Sequence, residues 1–356
     1  MRQKVVIADV RSINRNCNVT GHYFTLAKNY IDVLEDEFEV VVAGGPIYKE
    51  RFKKYLALPF DTDLSASAIL NKLKVIANCL VLFCKTKDCK IILQSNAVAT
   101  TFFSMILSPF KRELYMIQYN TMALDSGIKR MLHKLAKDRI TGILCPSEEI
   151  GRQYASRYLV IPDYIITEHQ LATLAKTKDY EKRYDIGIVG IVTPDKGIVQ
   201  AARCLAKKKY KVLIAGRPVT LEIKKELEEI CGNNQSIELR LEYISDNLYD
   251  EAIRSSRYCM LNYTDAYSEH SSGVIFDALY RGIPIIGRRC RFLQVVEDQK
   301  MGYLYDDIEN CDFEYLFNTD VNSEYQRNIK EYLVQQLTIK EKLCSFLRCE
   351  NDRYYI

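Results

Sequence analysis

The first half of the chain alternates short β-branched runs with longer segments of mixed polarity. The runs are apolar at consecutive positions, as in strands buried on both faces of a parallel sheet, and the intervening segments are long enough for crossover helices. Strands are predicted at residues 4–10, 39–43, 91–95, 115–118 and 143–146, and an amphipathic helix at residues 129–139. This alternation predicts a parallel sheet with helices on both sides.

A second series of the same kind follows a polar, charged stretch over residues 167–183. Strands are predicted at residues 185–189, 211–215, 237–241, 258–262 and 284–286, with helices at 196–206, 221–231, 246–255 and 272–281. We therefore expect an α/β protein with two Rossmann-like parallel-sheet domains facing each other across a cleft, residues 1–166 and 184–334, joined by the polar stretch. A last helical pattern at residues 339–348 predicts that residues 335–356 pack back on the first domain.

Composition identifies a folded globular protein and excludes one class of partner. Hydrophobic residues make up 48% and charged residues 27% of the chain, which are ordinary values. The net charge of +4 is small, and the sequence has no dense row of Lys and Arg with interleaved aromatics, so we expect no nucleic-acid partner. Basic clusters at residues 49–54 and 207–211 are either solvated faces or a means of weak contact with an anionic membrane surface.

The twelve cysteines are scattered through predicted strands and helices, and the chain begins without an apolar signal segment, so reduced thiols are expected. Cys84 with Cys89 and Cys344 with Cys349 are spaced five apart, but neither pair has a second pair at zinc-finger spacing. The longest apolar run, residues 75–84, is half of the ~20 residues that a membrane span needs. We expect a cytoplasmic protein with no metal, no other cofactor and no transmembrane helix.

Ligands of open parallel sheets bind at the carboxyl ends of the strands, so the loops there are the candidate sites. The first of these loops lacks a G-x-G-x-x-G pattern, which removes the main support for a nicotinamide or flavin dinucleotide. Gly21 opens the next predicted helix, where it either lets the backbone approach a phosphate or sugar or only caps the helix. His22 follows it and is a candidate to project into the cleft.

The second half has two cationic loops at the corresponding edge of its predicted sheet. Gly190 follows a strand, and residues 194–197 (Pro-Asp-Lys-Gly) begin the next predicted helix. The free N–H groups of a helix start and the charge of Lys196 suit a diphosphate, although the same four residues also form an ordinary turn and cap. Arg217, after the next strand, adds a second cation.

The strongest signal lies in residues 268–287, where a loop leads into a helix and then a strand. Glu269 precedes the helix, residues 271–273 (Ser-Ser-Gly) expose N–H groups at its start, and Asp277 lies about one turn inside. Two carboxylates thus flank a predicted phosphate-binding helix start. Ser-Ser-Gly alone would be an N-cap, and Asp277 alone a dipole-favoured acid, but this purely structural interpretation does not explain the whole string.

At these residues the chain resembles glycosyltransferase family 4, whose members share the two-Rossmann architecture called GT-B. The family's hallmark is Glu, seven residues, Glu; here Glu269 and Asp277 have that spacing and are followed by Gly-Ile-Pro-Ile-Ile at residues 282–286. Residues 190–197 look like the family's glycine-arginine to lysine-glycine segment, and residues 214–216 (Ile-Ala-Gly) match the end of its next strand. The likeness spans nearly the whole chain and is weaker in the first half.

The resemblance implies transfer of a sugar from a nucleotide-diphosphate sugar to an acceptor, with retention of configuration and without a metal. Glu269 would contact the sugar hydroxyls, Asp277 the ribose diol and Lys196 the diphosphate. The catalytic candidates are Glu269, Lys196 and His22, and the donor-binding candidates are Gly21, Gly190, Lys196, Arg217, Glu269, Ser271, Ser272, Gly273, Val274 and Asp277.

Three positions depart from the family's pattern. Ile191 stands where the family has arginine, and Arg217 is the candidate to replace it. Asp277 is one methylene shorter than the family's second Glu, so its contact with ribose is either direct or through water. Tyr119 stands where the family has a cleft histidine, and Tyr119 and Asn120 are the acceptor-side candidates.

The resemblance further implies a hexosyl-type transferase of bacterial surface polysaccharide synthesis, acting on a glycan or lipid-linked saccharide, with peripheral contact at the inner face of the cell membrane. Two alternatives remain open. An epimerase on the same fold would eliminate the nucleotide and add it back, using acids and bases in both domains. A degenerate transferase would be a nucleotide-sugar-binding scaffold without catalysis, and Ile191 and Tyr119 are its main support.

Overall fold

The computed structural model describes residues 2–14, 22–63, 66–94, 98–162, 164–176, 180–267 and 272–348. The chain divides into two compact units, one formed by Met1–Thr167 with Thr338–Ile356 and the other by Glu168–Leu337. The stretch over residues 167–183, predicted as a polar linker, contains a helix of the second unit over Glu168–Lys176. Its high polarity concealed a helical spacing, with Leu171 and Leu174 three positions apart.

The first unit is built on a seven-stranded parallel sheet. The described strands of this unit are β1 (Lys4–Ala8), β2 (Ile13–Asn14), β3 (Glu39–Gly44), β4 (Tyr55–Ala57), β5 (Thr62–Asp63), β6 (Lys90–Leu93), β7 (Glu113–Ile117), β8 (Gly142–Cys145) and β9 (Tyr158–Val160). The sheet has the order β4-β3-β1-β6-β7-β8-β9, and β2 and β5 form a separate parallel pair. The helices of this part of the chain are α1 (His22–Leu34), α2 (Ala68–Lys85), α3 (Ala99–Leu107), α4 (Gly127–Ala136) and α5 (Glu148–Tyr154).

The second unit repeats this plan with a six-stranded parallel sheet. Its described strands are β10 (Tyr184–Val189), β11 (Val212–Ala215), β12 (Ile237–Arg240), β13 (Ser256–Leu261), β14 (Ile285–Arg288) and β15 (Gly302–Tyr305), in the order β12-β11-β10-β13-β14-β15. Its helices are α6 (Glu168–Lys176), α7 (Ile198–Leu205), α8 (Leu221–Cys231), α9 (Asp246–Arg254), α10 (Gly273–Leu279), α11 (Gln294–Asp298), α12 (Phe313–Asn318) and α13 (Val321–Gln336). A further helix, α14 (Thr338–Arg348), belongs to the first unit.

The prediction of two parallel α/β sheets is confirmed, and burial explains the pattern. In β1, Val5 and Ile7 belong to the core that α1 covers, whereas Val6 and Ala8 belong to the core that α2 and α3 cover. Successive strand residues point to opposite faces, so a sheet covered on both sides requires apolar residues at every position. This is why the strands of both units are continuous apolar runs in the sequence.

The last helix, α14, packs on the first unit. Ile339 and Leu343 lie four positions apart and are buried in the same core as α1. The Tyr115 hydroxyl of β7 donates a hydrogen bond to the Leu347 carbonyl at 3.2 Å. These contacts join the end of the chain to the centre of the first sheet.

Two predicted helices are shorter in the structure, and glycines explain why. The helix predicted at 196–206 begins only at Ile198, because Gly197 has a left-handed backbone with φ of +59°. The helix predicted at 272–281 covers Gly273–Leu279, and the left-handed Gly282, with φ of +68°, follows it. Only glycine adopts such angles without strain, and they interrupt a helix.

Candidate functional site

Two glycines bring the loops after β10 and β11 into direct backbone contact. Gly190 and Gly216 end these strands with φ of +106° and +154°, conformations that other residues rarely adopt. A Cβ on Gly216 would lie 1.8 Å from the Gly190 carbonyl oxygen, so only glycine fits there. The Val192 amide donates a hydrogen bond to the Arg217 carbonyl at 3.0 Å, which extends the pairing beyond the strands. The carboxyl edge of the second sheet therefore has two closely packed loops at its centre.

The turn that carries Lys196 is fixed by the loop after β13. Pro194–Lys196 form a 3-10 turn, and a Cβ on Gly197 would lie 2.2 Å from the Asn262 carbonyl oxygen. The Asn262 side-chain amide donates a hydrogen bond to the Gly197 carbonyl at 2.9 Å. The Thr264 hydroxyl donates another to the Asp195 carbonyl at 2.9 Å. Lys196 therefore projects from a turn that is held on both sides.

The Lys196 ammonium lies over Gly190 and has no described counter-ion. Its Nζ is 3.6 Å from the position that a Cβ on Gly190 would occupy, and a Val274 methyl group is 3.4 Å from the same point. Lys196 also lines a small cavity with Val189, Met260 and Tyr263. Burial lowers the pKa of Lys196, and the nearby Asp195 carboxylate only partly opposes this effect. Among the described residues no carboxylate forms an ion pair with Lys196, so its charge is available to an anion.

The start of α10 is anchored to the same loop. Ser272 is buried, and its hydroxyl is hydrogen-bonded to the hydroxyl of Tyr263, so it does not cap the helix. Tyr263 in turn stacks on Tyr267 with ring centres 4.3 Å apart. A Cβ on Gly273 would have no described atom within 4 Å. The surface beside Gly273 is therefore open, although the residues next to it are tightly held.

Asp277 is part of an internal network that the sequence did not reveal. The Tyr249 hydroxyl donates a hydrogen bond to its carboxylate at 2.9 Å, and the Arg281 guanidinium lies 3.7 Å from the other oxygen. Arg281 also pairs with Asp250 at 2.7 Å. Burial raises the pKa of Asp277, although Arg281 and Tyr249 oppose this effect. The Asp277 side chain is nevertheless 30% exposed, so it can accept further hydrogen bonds from a ligand.

Ile191, which stands where the family has arginine, and Arg217, the candidate to replace that arginine, lie on the two paired loops. Ile191 is 46% exposed. Arg217 is exposed, and its guanidinium makes no ion pair or hydrogen bond within the described part of the chain. Because Val192 is hydrogen-bonded to Arg217, the backbones at these two positions are neighbours.

Some of the predicted site residues lie outside the described residues. These are Gly21, Glu269 and Ser271. His22 is described only as the first residue of α1. The described donor-binding candidates all lie in the second unit and are Gly190, Lys196, Arg217, Ser272, Gly273, Val274 and Asp277. The acceptor-side candidates, Tyr119 and Asn120, lie in the first unit.

Asn120 stabilises the loop that follows β7 through two hydrogen bonds. Its side-chain oxygen accepts a hydrogen bond from the Met122 amide at 3.0 Å, and its carbonyl accepts one from the Tyr154 hydroxyl, also at 3.0 Å. Tyr119 is half-buried and packs against the core that α1 covers. These contacts fix the loop, and they leave part of the Tyr119 ring exposed.

Sequence reasoning missed a buried polar row at the carboxyl edge of the first sheet. Asp9, Gln94 and Gln118 directly follow the adjacent strands β1, β6 and β7, and all three are buried. The Tyr48 hydroxyl donates to the Asp9 carboxylate at 2.7 Å and accepts from the Gln94 amide at 3.1 Å. The side-chain oxygen and nitrogen of Gln118 have no hydrogen-bond partner among the described residues. A polar residue directly after each buried run was the available signal, but all three positions were included in the predicted strands.

Burial raises the pKa of Asp9, and the hydrogen bond from Tyr48 opposes this effect. An unpaired buried amide such as that of Gln118 costs about 1–3 kcal/mol. Both observations mark the edge of the first sheet as a place where polar groups are held at the expense of stability.

Within the described residues, no three His, Cys, Asp or Glu side chains group closely enough to hold a metal ion. The ten cysteines that the structure describes are free thiols. No helix in the described ranges is both long and apolar enough to cross a membrane.

Comparison with known proteins gives similarity of fold only. No family model and no curated protein sequence matches the chain. Among solved structures, an α,α-trehalose-phosphate synthase (UDP-forming) from Burkholderia xenovorans, in complex with glucose 6-phosphate, has a TM-score of 0.72 at 11% identity, covering 97% of this chain and 100% of that one. HepE from Anabaena, in complex with UDP and glucose, has a TM-score of 0.66 at 14% identity, covering 98% and 100%. A glycosyltransferase from Rickettsia africae has a TM-score of 0.66 at 13% identity, with the same coverage. The chain therefore has the fold of these two-domain glycosyltransferases.

Proposed function

We propose that this chain is a glycosyltransferase that binds a nucleotide-diphosphate sugar at the carboxyl edge of its second sheet. The observation that carries the proposal is the Lys196 ammonium, which is partly desolvated, fixed by its turn and without a described counter-ion over Gly190. The structural neighbour HepE was solved with UDP and glucose and also with UDP-glucose, and UDP-glucose belongs to the class of donor that we propose.

Lys196 and the paired glycines would bind the diphosphate. When the sugar leaves, negative charge grows on the nucleoside diphosphate, and a fixed cation in a partly dehydrated site stabilises that charge strongly. The absence of side chains at Gly190 and Gly273 lets phosphate oxygens approach the backbone. Arg217, on the loop paired with Ile191, would supply the second cation, so that no metal is needed.

The carboxylates would orient the donor. Asp277 accepts one hydrogen bond from Tyr249 and keeps exposed oxygen surface, which suits a contact with the ribose diol, either direct or through water. Glu269, before the described start of α10, would accept hydrogen bonds from the sugar hydroxyls. His22 remains the catalytic candidate from the first unit.

The first unit would bind the acceptor, a glycan or lipid-linked saccharide of bacterial surface polysaccharide synthesis, in the cytoplasm. Its support is Tyr119 and Asn120, which are partly exposed after β7, beside the buried polar row of Asp9, Gln94 and Gln118. Saccharide hydroxyls both donate and accept hydrogen bonds, so they suit polar side chains at this edge. Retention of configuration is part of the proposal.

A panel of nucleotide sugars tests the proposal. The chain is incubated with each donor, with and without saccharide acceptors, and released nucleotide and sugar products are measured. Acceptor-dependent release supports transfer, isomerised sugar without an acceptor indicates the epimerase alternative, and binding without either product indicates the scaffold.

Replacement of Lys196 by Ala links the activity to the site. We expect turnover to be lost while the protein stays folded, because no described side chain depends on the ammonium. Lys225→Ala, at an exposed lysine of α8 without a described ion pair, is the matched control and should leave turnover unchanged. Nearly intact turnover in Lys196→Ala would refute the assignment of the diphosphate site.

A further inference from the structure

One side of the first unit exposes a row of large apolar side chains across three neighbouring helices. They are Ile69 and Leu73 of α2, Phe103 and Leu107 of α3, and Ile128, Met131 and Leu135 of α4. We call this surface the α2–α4 face. Its members are between 40% and 72% exposed. Single exposed apolar residues are ordinary, but a row that continues over three helices marks an interaction surface.

The spacing of these residues shows that they form one surface. They lie three or four positions apart on each helix, so each set occupies one side of its helix. The opposite sides of the helices, including Cys79 and Phe102, are buried in the core on the same face of the sheet. Because α2 packs against α3 and α3 against α4, the outward sides adjoin each other.

The α2–α4 face has a basic border. Arg130, Lys134 and Lys137 are exposed, and none of them forms an ion pair with a described carboxylate. At about 100° per residue, Arg130 and Lys134 share the solvent side of α4 with Ile128, Met131 and Leu135, directly beside the apolar stripe. Lys137 directly follows the last residue of α4. Residues 66–139 contain twelve Lys and Arg against four Asp and Glu, although the whole chain has a net charge of only +4.

We propose that the α2–α4 face docks on an anionic lipid bilayer. Apolar side chains on one side of a helix with Lys and Arg beside them are the chemistry by which a helix lies in the headgroup region, with its apolar residues in the acyl boundary. A second copy of the chain fits less well, because a symmetric contact would bring the same cations of two copies together.

The sequence suggested two other basic clusters for membrane contact, at residues 49–54 and 207–211. Neither cluster contains any of the exposed large apolar side chains of the described residues. Lys207 of the cluster at 207–211 already faces Glu309 at 3.6 Å, and Lys208 and Lys209 beside it are exposed. This cluster lies in the second unit and supplies a control for charge without an apolar row.

Docking would also orient the first unit. The helices α3 and α4 follow β6 and β7, so their first turns lie near the carboxyl edge that carries the buried polar row. This edge would then lie close to the lipid headgroups. A lipid-linked acceptor would then meet this edge of the sheet at the membrane surface. That step rests on the proposed function, whereas the docking itself does not.

The full chain is tested by flotation with vesicles of phosphatidylcholine alone and with about 30% phosphatidylglycerol. We expect binding to the anionic vesicles only. The charge variant Arg130→Gln/Lys134→Gln/Lys137→Gln should lower vesicle affinity about tenfold or more, since each basic residue near the surface contributes separately. The apolar variant Ile128→Ser/Met131→Ser/Leu135→Ser should also bind more weakly, and its remaining binding should be lost when salt rises from about 0.15 M to about 0.5 M. Unchanged circular dichroism would show that both variants fold.

The control is Lys207→Gln/Lys208→Gln/Lys209→Gln, which removes three cations from the second unit and should bind like the wild type. Three results would each overturn the proposal. The wild type could fail to bind anionic vesicles, both α2–α4 variants could bind as well as the wild type, or the control could lose binding. A wild-type dimer in sedimentation equilibrium that the apolar variant abolishes, without vesicle binding, would replace the bilayer by a second copy and overturn it as well.

A fluorescence measurement locates the contact independently of affinity. The chain has no tryptophan, so a single tryptophan reports its own surroundings. Met131→Trp should shift its emission to shorter wavelength when anionic vesicles are added, because the indole enters the headgroup region. Leu221→Trp, at an exposed position of α8 in the second unit, should not shift. A shift at residue 221 but not at residue 131 would contradict the orientation.

Discussion

Replacement of Lys196 by Met separates the role of its charge from the role of its stem. Methionine keeps an unbranched side chain of similar length and removes the ammonium, so the packing beside Val274 and Met260 is largely retained. The described residues offer no counter-ion that would be left unpaired. The change should therefore act on the bound anion and not on the fold.

The magnitude follows from the type of contact that is lost. A hydrogen bond to a charged group contributes about 1.5–3 kcal/mol, and about 1.4 kcal/mol corresponds to a factor of ten, so a nucleoside diphosphate should bind roughly 10- to 150-fold more weakly. In the proposed site a nucleoside without phosphates would not reach the ammonium, so its affinity should not change. Titration calorimetry with UDP and uridine measures both effects, with Lys225→Met as the matched control.

The same substitution should not reduce stability. Burial lowers the pKa of Lys196 below its ordinary value of 10.5, so the folded chain binds this proton more weakly than the unfolded chain. The stability of the wild type therefore rises with pH between the lowered pKa and 10.5, and Lys196→Met should lack this rise. At neutral pH the variant no longer has a partly desolvated charge, so its free energy of unfolding should be equal or higher. Equal weakening for UDP and uridine, or a clear loss of stability, would refute this reasoning.

Three further predictions concern positions on the two sheet edges. Gly216→Ala should lower the free energy of unfolding by about 2–3 kcal/mol, since its Cβ would meet the Gly190 carbonyl, whereas Gly273→Ala should not, and thermal unfolding compares them. Asp9→Asn should remove the fall in wild-type stability expected as pH rises above 3.8 through the raised pKa of this carboxyl, measured by unfolding at several pH values. Gln118→Met should stabilise the chain by about 1–2 kcal/mol, because it removes an unpaired buried amide, and should lower acceptor-dependent turnover in the transferase assay.

The hydrophobic pattern and capping residues of a segment predicted those helices and strands whose limits are set within the segment itself. The helix predicted at 221–231 coincides with α8, because Thr220 caps it and Ile223, Leu227 and Cys231 recur on its buried side. The edge strand β4 was not predicted. It has only three residues, and none of them is buried, so neither length nor polarity distinguishes it from a loop.

Candidate site residues were predictable only where one sequence segment contains them. Lys196 and Asp277 were proposed from short motifs, and the turn and helix that position them lie in the same segments. The partners of Asp277 were not predictable, because Tyr249 lies 28 positions away and meets it only in the folded unit. The contact of Gly216 with Gly190 is likewise a result of neighbouring parallel strands that lie far apart in the sequence.

Burial disfavours the charge of ionisable groups at both sheet edges. It raises the pKa of Asp9 and Asp277 and lowers that of Lys196, whereas the exposed Asp36 has a lowered pKa because Lys340 pairs with it. A charge that is disfavoured in the empty protein becomes favourable once a ligand supplies hydrogen bonds or the opposite charge. A ligand can reach Asp277, because 30% of its side chain is exposed. Asp9 is buried and already accepts a hydrogen bond from Tyr48, so burial alone accounts for its raised pKa.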